Sequence, residues 1–385
     1  MNESINVHLK KKIVPFWNRQ VDPVFGGYYG YAEQNLIPNK LADKGAIKIA
    51  RILWAYAALY RHYQEDTYRE HAKIAYDYLV NHLYDKTWKG VFWKSAYSGQ
   101  IINDTKHIYA QSFAIYGLSE YFLATGDPEA RDLALEIFWV VETKAYQPEK
   151  QAYGEQFTRD WRQMDNRLLA NNTALPAYTT NTLIHLIEAY TALFLAAGDE
   201  QVRQCLQRLL HLFHNKAYNR DENHCYIEFD GNWGPIDNGV SFGHDIEASW
   251  LIDRAMAAID HHPAELMGMT RAIAENTWRR GYDNGVIASG DAANSPLVWW
   301  IQAEAVVGFL NHFLKTHDPD YLVAARQTLA VIMTKIVDHR EGGEWYWSVD
   351  RSGKPLEDFG ISENWKANYH NVRMCLEILQ RGDML

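Results

Sequence analysis

GGYYGY, at residues 26–31, is the first appearance of a pattern that runs the length of the chain. Glycine beside alternating aromatic and β-branched residues reads as a short hairpin or extended loop. Clusters of the same kind follow at KGVFWK (89–94), QAYGEQF (151–157), HCYIEFDGNW (224–233), YDNGVIASG (282–290) and GGEWYW (342–347). They stand roughly 60 to 70 residues apart, a spacing typical of repeated structural units. A second mark falls between them, a short acidic turn: QEDTY (64–68), TGDPEA (125–130), AGDEQV (197–202) and THDPDY (316–321), with IDHHPAE (259–265) as its weakest member.

The segments between the marks carry helical periodicity. YREHAKIAYDYLVNHLY (68–84), IYAQSFAIYGLSEYFLA (108–124) and AVVGFLNHFL (305–314) place apolar residues at i, i+3, i+4 and i+7. About twelve helices are expected, beginning near residues 4, 45, 66, 104, 128, 178, 199, 244, 263, 296, 318 and 365. The order is helix, acidic turn, helix, hairpin. A helical pair that returns six times predicts an all-α fold, an (α/α)6 barrel with short β-hairpins at the active-site end. An open superhelical array is the alternative. Closure is favoured because the first helix lacks a preceding partner and the last lacks a following one. Residues 158–178 read as a long loop, and 1–385 as a single domain.

Composition narrows the function. A net charge of −10 without a basic block argues against nucleic acid or anionic membrane as partners. The start of the chain, MNESINVHLKKK, has no apolar signal core, and no apolar run approaches a membrane span. A cytoplasmic protein is expected, monomeric or weakly homo-oligomeric. Cys205, Cys225 and Cys375 show no CxxC spacing and read as buried thiols. The 14 Trp and 24 Tyr combine flat apolar faces with polar edges, which suits sugar rings as well as a large aromatic core.

In a barrel, the helices that directly follow the hairpins run the same way and gather their N-termini at one end. Their opening segments are KIARILWAY (48–56), KHIYAQSF (106–113), TNTLIHLIEAY (180–190), GHDIEASWL (243–251), VWWIQAEA (298–305) and WKANYHNVRMCLE (365–377). These hold polar and aromatic residues that a plain core helix does not need: Arg51, Tyr109, Asn181, His185, His244, Glu247, Trp250, Trp300, Glu304, Trp365 and His370. Asn181 shares a face with His185, His244 with Glu247 and Trp300 with Glu304. Ser241 is placed to cap the helix that carries His244. Gathered N-termini also favour a developing negative charge.

The bland readings are clear. Most of the 16 histidines are bystanders. His62, His71, His82, His211, His214, His261, His262, His312, His317 and His339 map to outer helices or turns, and His107 reads as a cap or a tyrosine partner. Arg51, inside the apolar run IARILWAY, either anchors a structural carboxylate or faces the pocket, and the pocket is favoured. His185, His244 and His370 have no HExxH-type local pairing, so no metal is assigned. An inverting glycoside hydrolase would need two carboxylates across a sugar bond, for which Glu247, Glu304 and Asp237 are available. A non-catalytic sugar-binding module is a third class. Without a GxGxxG, Walker-type or Ser-elbow motif, nucleotide and acyl-enzyme chemistry have no anchor.

Three imidazoles and an arginine suit proton transfer at carbon. An open-chain aldose has an acidic hydrogen at C2; one histidine removes it, and Arg51 with the helix N-termini stabilises the enediolate. Return of the proton to the opposite face of C2 gives the epimer, and return to C1 gives the ketose. Neither outcome needs a cofactor.

SFGHDIEASWL (241–251), WWIQAEAVVGF (299–309), NTLIHLIEAYT (181–191), RILW (51–54) and WKANYHNVRMCLE (365–377) together resemble the acylglucosamine 2-epimerase superfamily, within it the cellobiose 2-epimerase branch. The resemblance spans the chain. It implies an (α/α)6 barrel acting on free sugars without metal or nucleotide. It implies that His244 and His370 are acid/base residues on opposite faces of C2, that His185 assists ring opening, and that Arg51 holds the enediolate oxygens. Glu247 and Glu304 match acidic residues needed for activity; Tyr109, Asn181, Trp250, Trp300 and Trp365 match residues around the sugar. Two stretches depart from the disaccharide-active pattern: YDNGVIASGDAANSPL (282–297), which is shorter, and DGNWGPIDNGV (230–240). Both flank the mouth, which keeps mannose beside cellobiose-type disaccharides as a substrate and leaves an aldose–ketose isomerase as the alternative.

Overall fold

The computed structural model describes residues 2–169, 175–236, 239–290, 295–356 and 359–381. Among them are twelve helices. Helix α1 runs through Asn2–His8, a π-helical turn Leu9–Ile13 and Val14–Asn18. There follow α2 Ala46–Tyr63, α3 Asp66–Tyr78, α4 Ile108–Thr125, α5 Pro128–Lys144, α6 Thr180–Ala197 and α7 Glu200–Leu212. The last five are α8 Phe242–Ala258, α9 Ala264–Asn276, α10 Trp299–Thr316, α11 Pro319–Val331 and α12 Tyr369–Arg381.

The even-numbered helices form the inner ring. Each packs on the next, and α12 returns to α2, so the ring is closed and the open array is excluded. Helix α1 lies against α12 and completes the last pair. Patterning explains the two layers. Residues Ala46 to Leu59 of α2 are all buried, as suits a helix packed on every side. In the outer helix α7, burial follows Val202, Cys205, Leu206, Leu209 and Leu210, a single stripe on an otherwise polar surface. Inner helices approach closely: a Cβ on Gly117 of α4 would lie 2.7 Å from the Ala50 carbonyl oxygen of α2.

The acidic turns join inner to outer helices by two caps in succession. Gly126 and Gly198 end α4 and α6 in the left-handed conformation, and Asp127 and Asp199 then accept backbone N–H groups of α5 and α7. Asp318 does the same for α11 after His317. At IDHHPAE, the weakest member, α9 begins after Pro263 with no side-chain cap.

The hairpin end is equally regular. A two-residue strand enters each of four inner helices and pairs with a strand of the following repeat: Lys44–Gly45 with Lys94–Ser95, Lys106–His107 with Gln156–Phe157, Tyr178–Thr179 with Glu228–Phe229, and Leu297–Val298 with Ser348–Val349. Ala32 bridges to Ser362 and ties the first hairpin to the last repeat. These strands correct several expected boundaries. Helices α4 and α10 start later than residues 104 and 296, because the residues just before them are held in ladders. Helix α12 starts at Tyr369 instead of 365: buried Lys366 binds the Glu344 carboxylate and the Ile361 carbonyl and fixes the preceding turn. Within 158–178, Gln163–Met164 forms a third strand on Gln156–Phe157, while 170–174 lie outside the described residues. The three cysteines are free and buried, as expected.

Candidate active site

The first two turns of the inner helices surround a cavity of about 400 Å³ at the hairpin end. That lies within the roughly 300–1,000 Å³ of small-molecule pockets. Arg51, Tyr109, Asn181, His185, His244, Glu247, Trp300, Trp365 and His370 line it. The structure thus brings together nine of the eleven expected residues. Glu304 and Trp250 sit behind the wall, where the Trp250 indole N–H donates to Glu304 at 3.0 Å. Trp299, Trp347 and the loop residues Leu168 and Leu169 join the lining unannounced by the sequence reading.

All three imidazoles are anchored through Nδ1: His185 to Glu188 at 2.9 Å, His370 to Glu304 at 2.7 Å and His244 to the Ser241 hydroxyl at 2.7 Å. This leaves Nε2 of each for a ligand. Ser241 therefore holds the N-cap position of α8 but uses its hydroxyl on His244 instead of a backbone amide. Glu247 follows His244 by three residues on α8, as expected, and its carboxylate accepts from Arg373. The Trp300 ring lies near both His244 and His370, with centroids 4.9 and 5.7 Å away.

Among the described residues, Arg51 meets no carboxylate. It donates to the Trp365 carbonyl at 2.5 Å and to the Tyr109 hydroxyl at 2.9 Å, while its Nε finds no acceptor. Of the histidines assigned to solvated positions, His312 is the exception: it is buried on α10, edge-on to Tyr321. His107 acts as a cap, its Nδ1 accepting from the Tyr109 N–H.

Beneath the cavity lies a group that sequence reasoning missed. Arg373 is 1% exposed. Its Nη2 donates to Glu247 and Glu304, each at 2.7 Å, and its Nη1 to Glu188 and the Tyr369 hydroxyl. One guanidinium thus joins the carboxylates behind His185 and His370. The signal was spacing: Glu188 follows His185 by three residues, and Arg373 follows His370 by three.

Burial and these charges set the ionisation. His244 is lowered to about 4, first by burial and then by His185. His370 is driven well below its ordinary value by burial, then Arg373 and Arg51. His185 is lowered chiefly by burial, against the pull of Glu188. Burial would raise Glu188, but Arg373, His185 and Tyr369 together bring it down to about 2. Burial raises Glu247 and Glu304, with Arg373 opposing. Glu247, Glu304 and His370 offer donor atoms within 4.8 Å of one another, as a cation site would. Arg373 already supplies the positive charge there. The same closeness counts against the inverting hydrolase, whose carboxylates stand about 6.5–9.5 Å apart across the bond. Asp237, the other acid considered, lies outside the described residues.

The family model described as N-acylglucosamine 2-epimerase (GlcNAc 2-epimerase) matches residues 27–373. The chain belongs to that family. A cellobiose 2-epimerase of Dictyoglomus turgidum is 36% identical over 388 residues, covering 99% of this chain and 98% of the relative. The solved cellobiose 2-epimerase of Bacillus thermoamylovorans B4167 superposes with a TM-score of 0.96 at 37% identity, covering 99% of both chains. A D-mannose isomerase of Thermobifida fusca is more distant, 24% identical over 72% of this chain and 70% of the relative. The protein is a carbohydrate epimerase of the isomerase class with an (α/α)6 barrel fold, and its substrate is a small-molecule sugar. No helix among the described residues is long and apolar enough to cross a membrane.

Proposed function

We propose that the protein interconverts the gluco and manno configurations at C2 of the reducing sugar of a cellobiose-type β-1,4 disaccharide, with free mannose as the second candidate. The observation that carries the mechanism is the set of three imidazoles, each tethered through Nδ1, around one cavity with Arg51. Full-length similarity to cellobiose 2-epimerases supports the disaccharide, and the sequence departures at 230–240 and 282–297 keep mannose in view. The same reading takes residues 1–385 as one catalytic domain, cytoplasmic, and a monomer or weak homo-oligomer.

His185, tied to Glu188, handles the ring-oxygen proton as the sugar opens. His244, neutral at physiological pH, takes the C2 proton through Nε2. The Arg51 guanidinium lies against the developing enediolate oxygens, supported by the helix N-termini. His370 and Glu304 act as a dyad. Burial raises the carboxyl and lowers the imidazole, so protonated Glu304 donates to Nδ1 and Nε2 keeps its hydrogen; as Nε2 delivers that hydrogen to the opposite face of C2, the carboxyl proton passes to Nδ1 and Glu304 is left as the carboxylate that Arg373 holds. In the reverse direction the roles exchange, and water in the cavity restores both groups.

The test is incubation with cellobiose, and separately with mannose, in D2O, followed by proton NMR. Deuterium at C2 together with the new epimer is expected, and the better substrate fixes the chain length. Ketose formation would move the assignment to an aldose–ketose isomerase. Glucose released from cellobiose would indicate a hydrolase, and binding without hydrogen exchange a non-catalytic module.

A further inference from the structure

Leu168 and Leu169 reach the catalytic cavity from a loop, so contacts outside the helical packing must hold them there. The N–H groups of Arg167 and Leu168 donate to Gln156 Oε1 at 2.9 and 3.1 Å. Asn166, next to them and buried, uses both ends of its amide. Its Nδ2 donates to Glu155 at 2.7 Å, and its Oδ1 lies 3.1 Å from His107 Nε2. Glu155 also accepts the Thr179 N–H and hydroxyl at the entry to α6. His107 Nδ1 accepts the Tyr109 N–H, so its own hydrogen sits on Nε2 and is given to Asn166. Tyr109 in turn receives Arg51 on its hydroxyl. One loop residue therefore links the strand before α6, the loop wall of the cavity and the first turn of α4. A buried polar network whose members are all satisfied fixes a single geometry.

We propose that Asn166 is a positioning residue for epimerisation, a role that rests on the function proposed above. It seats Leu168 and Leu169 against the sugar. By keeping the His107 hydrogen on Nε2, it also preserves the cap at the start of α4, from which Tyr109 holds Arg51. An amide suits the post because it donates to a carboxylate and accepts from an imidazole on one short side chain, whereas an ionised Asp offers acceptors alone. The wall it seats is apolar and bears on sugar affinity; the arm through His107 and Tyr109 bears on the rate.

Three measurements test this. Hydrogen exchange needs no sugar: the amides of Arg167 and Leu168 should exchange about tenfold faster in Asn166→Ala. Cellobiose titrated into the same variant should bind roughly tenfold more weakly. Leu169→Ala removes part of the wall and leaves the clamp. If Asn166 acts through that wall, the double variant binds no more weakly than the weaker single one, whereas a merely structural Asn166 gives additive losses. Asn166→Asp covers the case in which Asn166→Ala fails to fold. Burial, against donors from Thr179, Thr182 and Asn166, raises Glu155 to about 8. The titratable groups around it are His107, lowered to about 4 by burial, and Tyr178, raised by burial. Two carboxyls at this spot hold together only while they share a proton, and the second carboxyl raises Glu155 further. The KM of Asn166→Asp relative to the parent should therefore climb as pH rises above about 8. Unchanged exchange in Asn166→Ala, additive losses in the double variant, or a KM ratio independent of pH would overturn the proposal. A parent protein that neither binds cellobiose nor exchanges the C2 hydrogen is instead a failure of the epimerase reading, which the hydrogen-exchange result does not share.

Discussion

Replacing Arg373 by methionine removes the one cation that joins Glu188, Glu247 and Glu304. Two unit charges 4 Å apart attract by about 4 kcal/mol at an effective dielectric near 20. Removing one partner from a buried pair costs roughly 3–5 kcal/mol, since the other is left charged and dry. Three carboxylates do not triple this. Burial already holds Glu247 and Glu304 towards their protonated forms, so the protein answers the loss by taking up protons there. We therefore expect a destabilisation of about 4 kcal/mol. Melting entropy is roughly 2.1 cal/mol/K per residue, or about 0.8 kcal/mol/K over the 385 residues, so Tm falls by about 5 °C. Activity suffers more. Glu188 and Glu304 are the tethers of His185 and His370, and a misplacement of about 1 Å costs on the order of 10²-fold in kcat. Arg373→Lys restores the charge but not the fork, so it should recover most of the thermal shift and less of the rate. Calorimetric melts and NMR-followed epimerisation measure the two effects. An Arg373→Met enzyme with unchanged kcat, whatever its Tm, would show that the guanidinium only holds the fold together.

His244→Asn and His370→Asn should each lower kcat by roughly 10²–10⁴-fold with circular dichroism and Tm near those of the parent; near-normal turnover in either would break the two-face assignment. The acid limb of kcat/KM should lie well below pH 6.5, because the reactive form of His244 is the neutral one and its lowered value, about 4, keeps it neutral as pH falls. A limb at or above 6.5 in a pH-rate profile would contradict this. Ser241→Ala removes the partner of His244 Nδ1, a loss of about 1.4 kcal/mol that should appear as a tenfold fall in kcat without a change in helix content.

The fold was legible because its determinants are local and repeated. A glycine that ends one helix beside an aspartate that caps the next is written in adjacent letters at 126–127 and 198–199, and reading it requires no tertiary information. Boundaries slipped where pairing across the repeats intervened, as at Lys106–His107 and Leu297–Val298, whose partners lie about fifty residues away along the chain. The site divided along the same line. Residues that reach the cavity from first helical turns could be named from their positions alone. Which acid serves which histidine could not, because helix spacing brings a side chain to a face without choosing its partner. Glu247 lies three residues from His244 and yet turns to Arg373, while Glu304 crosses from α10 to His370 on α12. An arginine in a helix usually means solvent. For Arg373 the neighbours Val372, Met374, Cys375 and Leu376 argued otherwise, and a cation enclosed by apolar residues must find acids in three dimensions. In this barrel it finds three, from three other inner helices, and that convergence is what couples the two imidazoles His185 and His370 to a single charge.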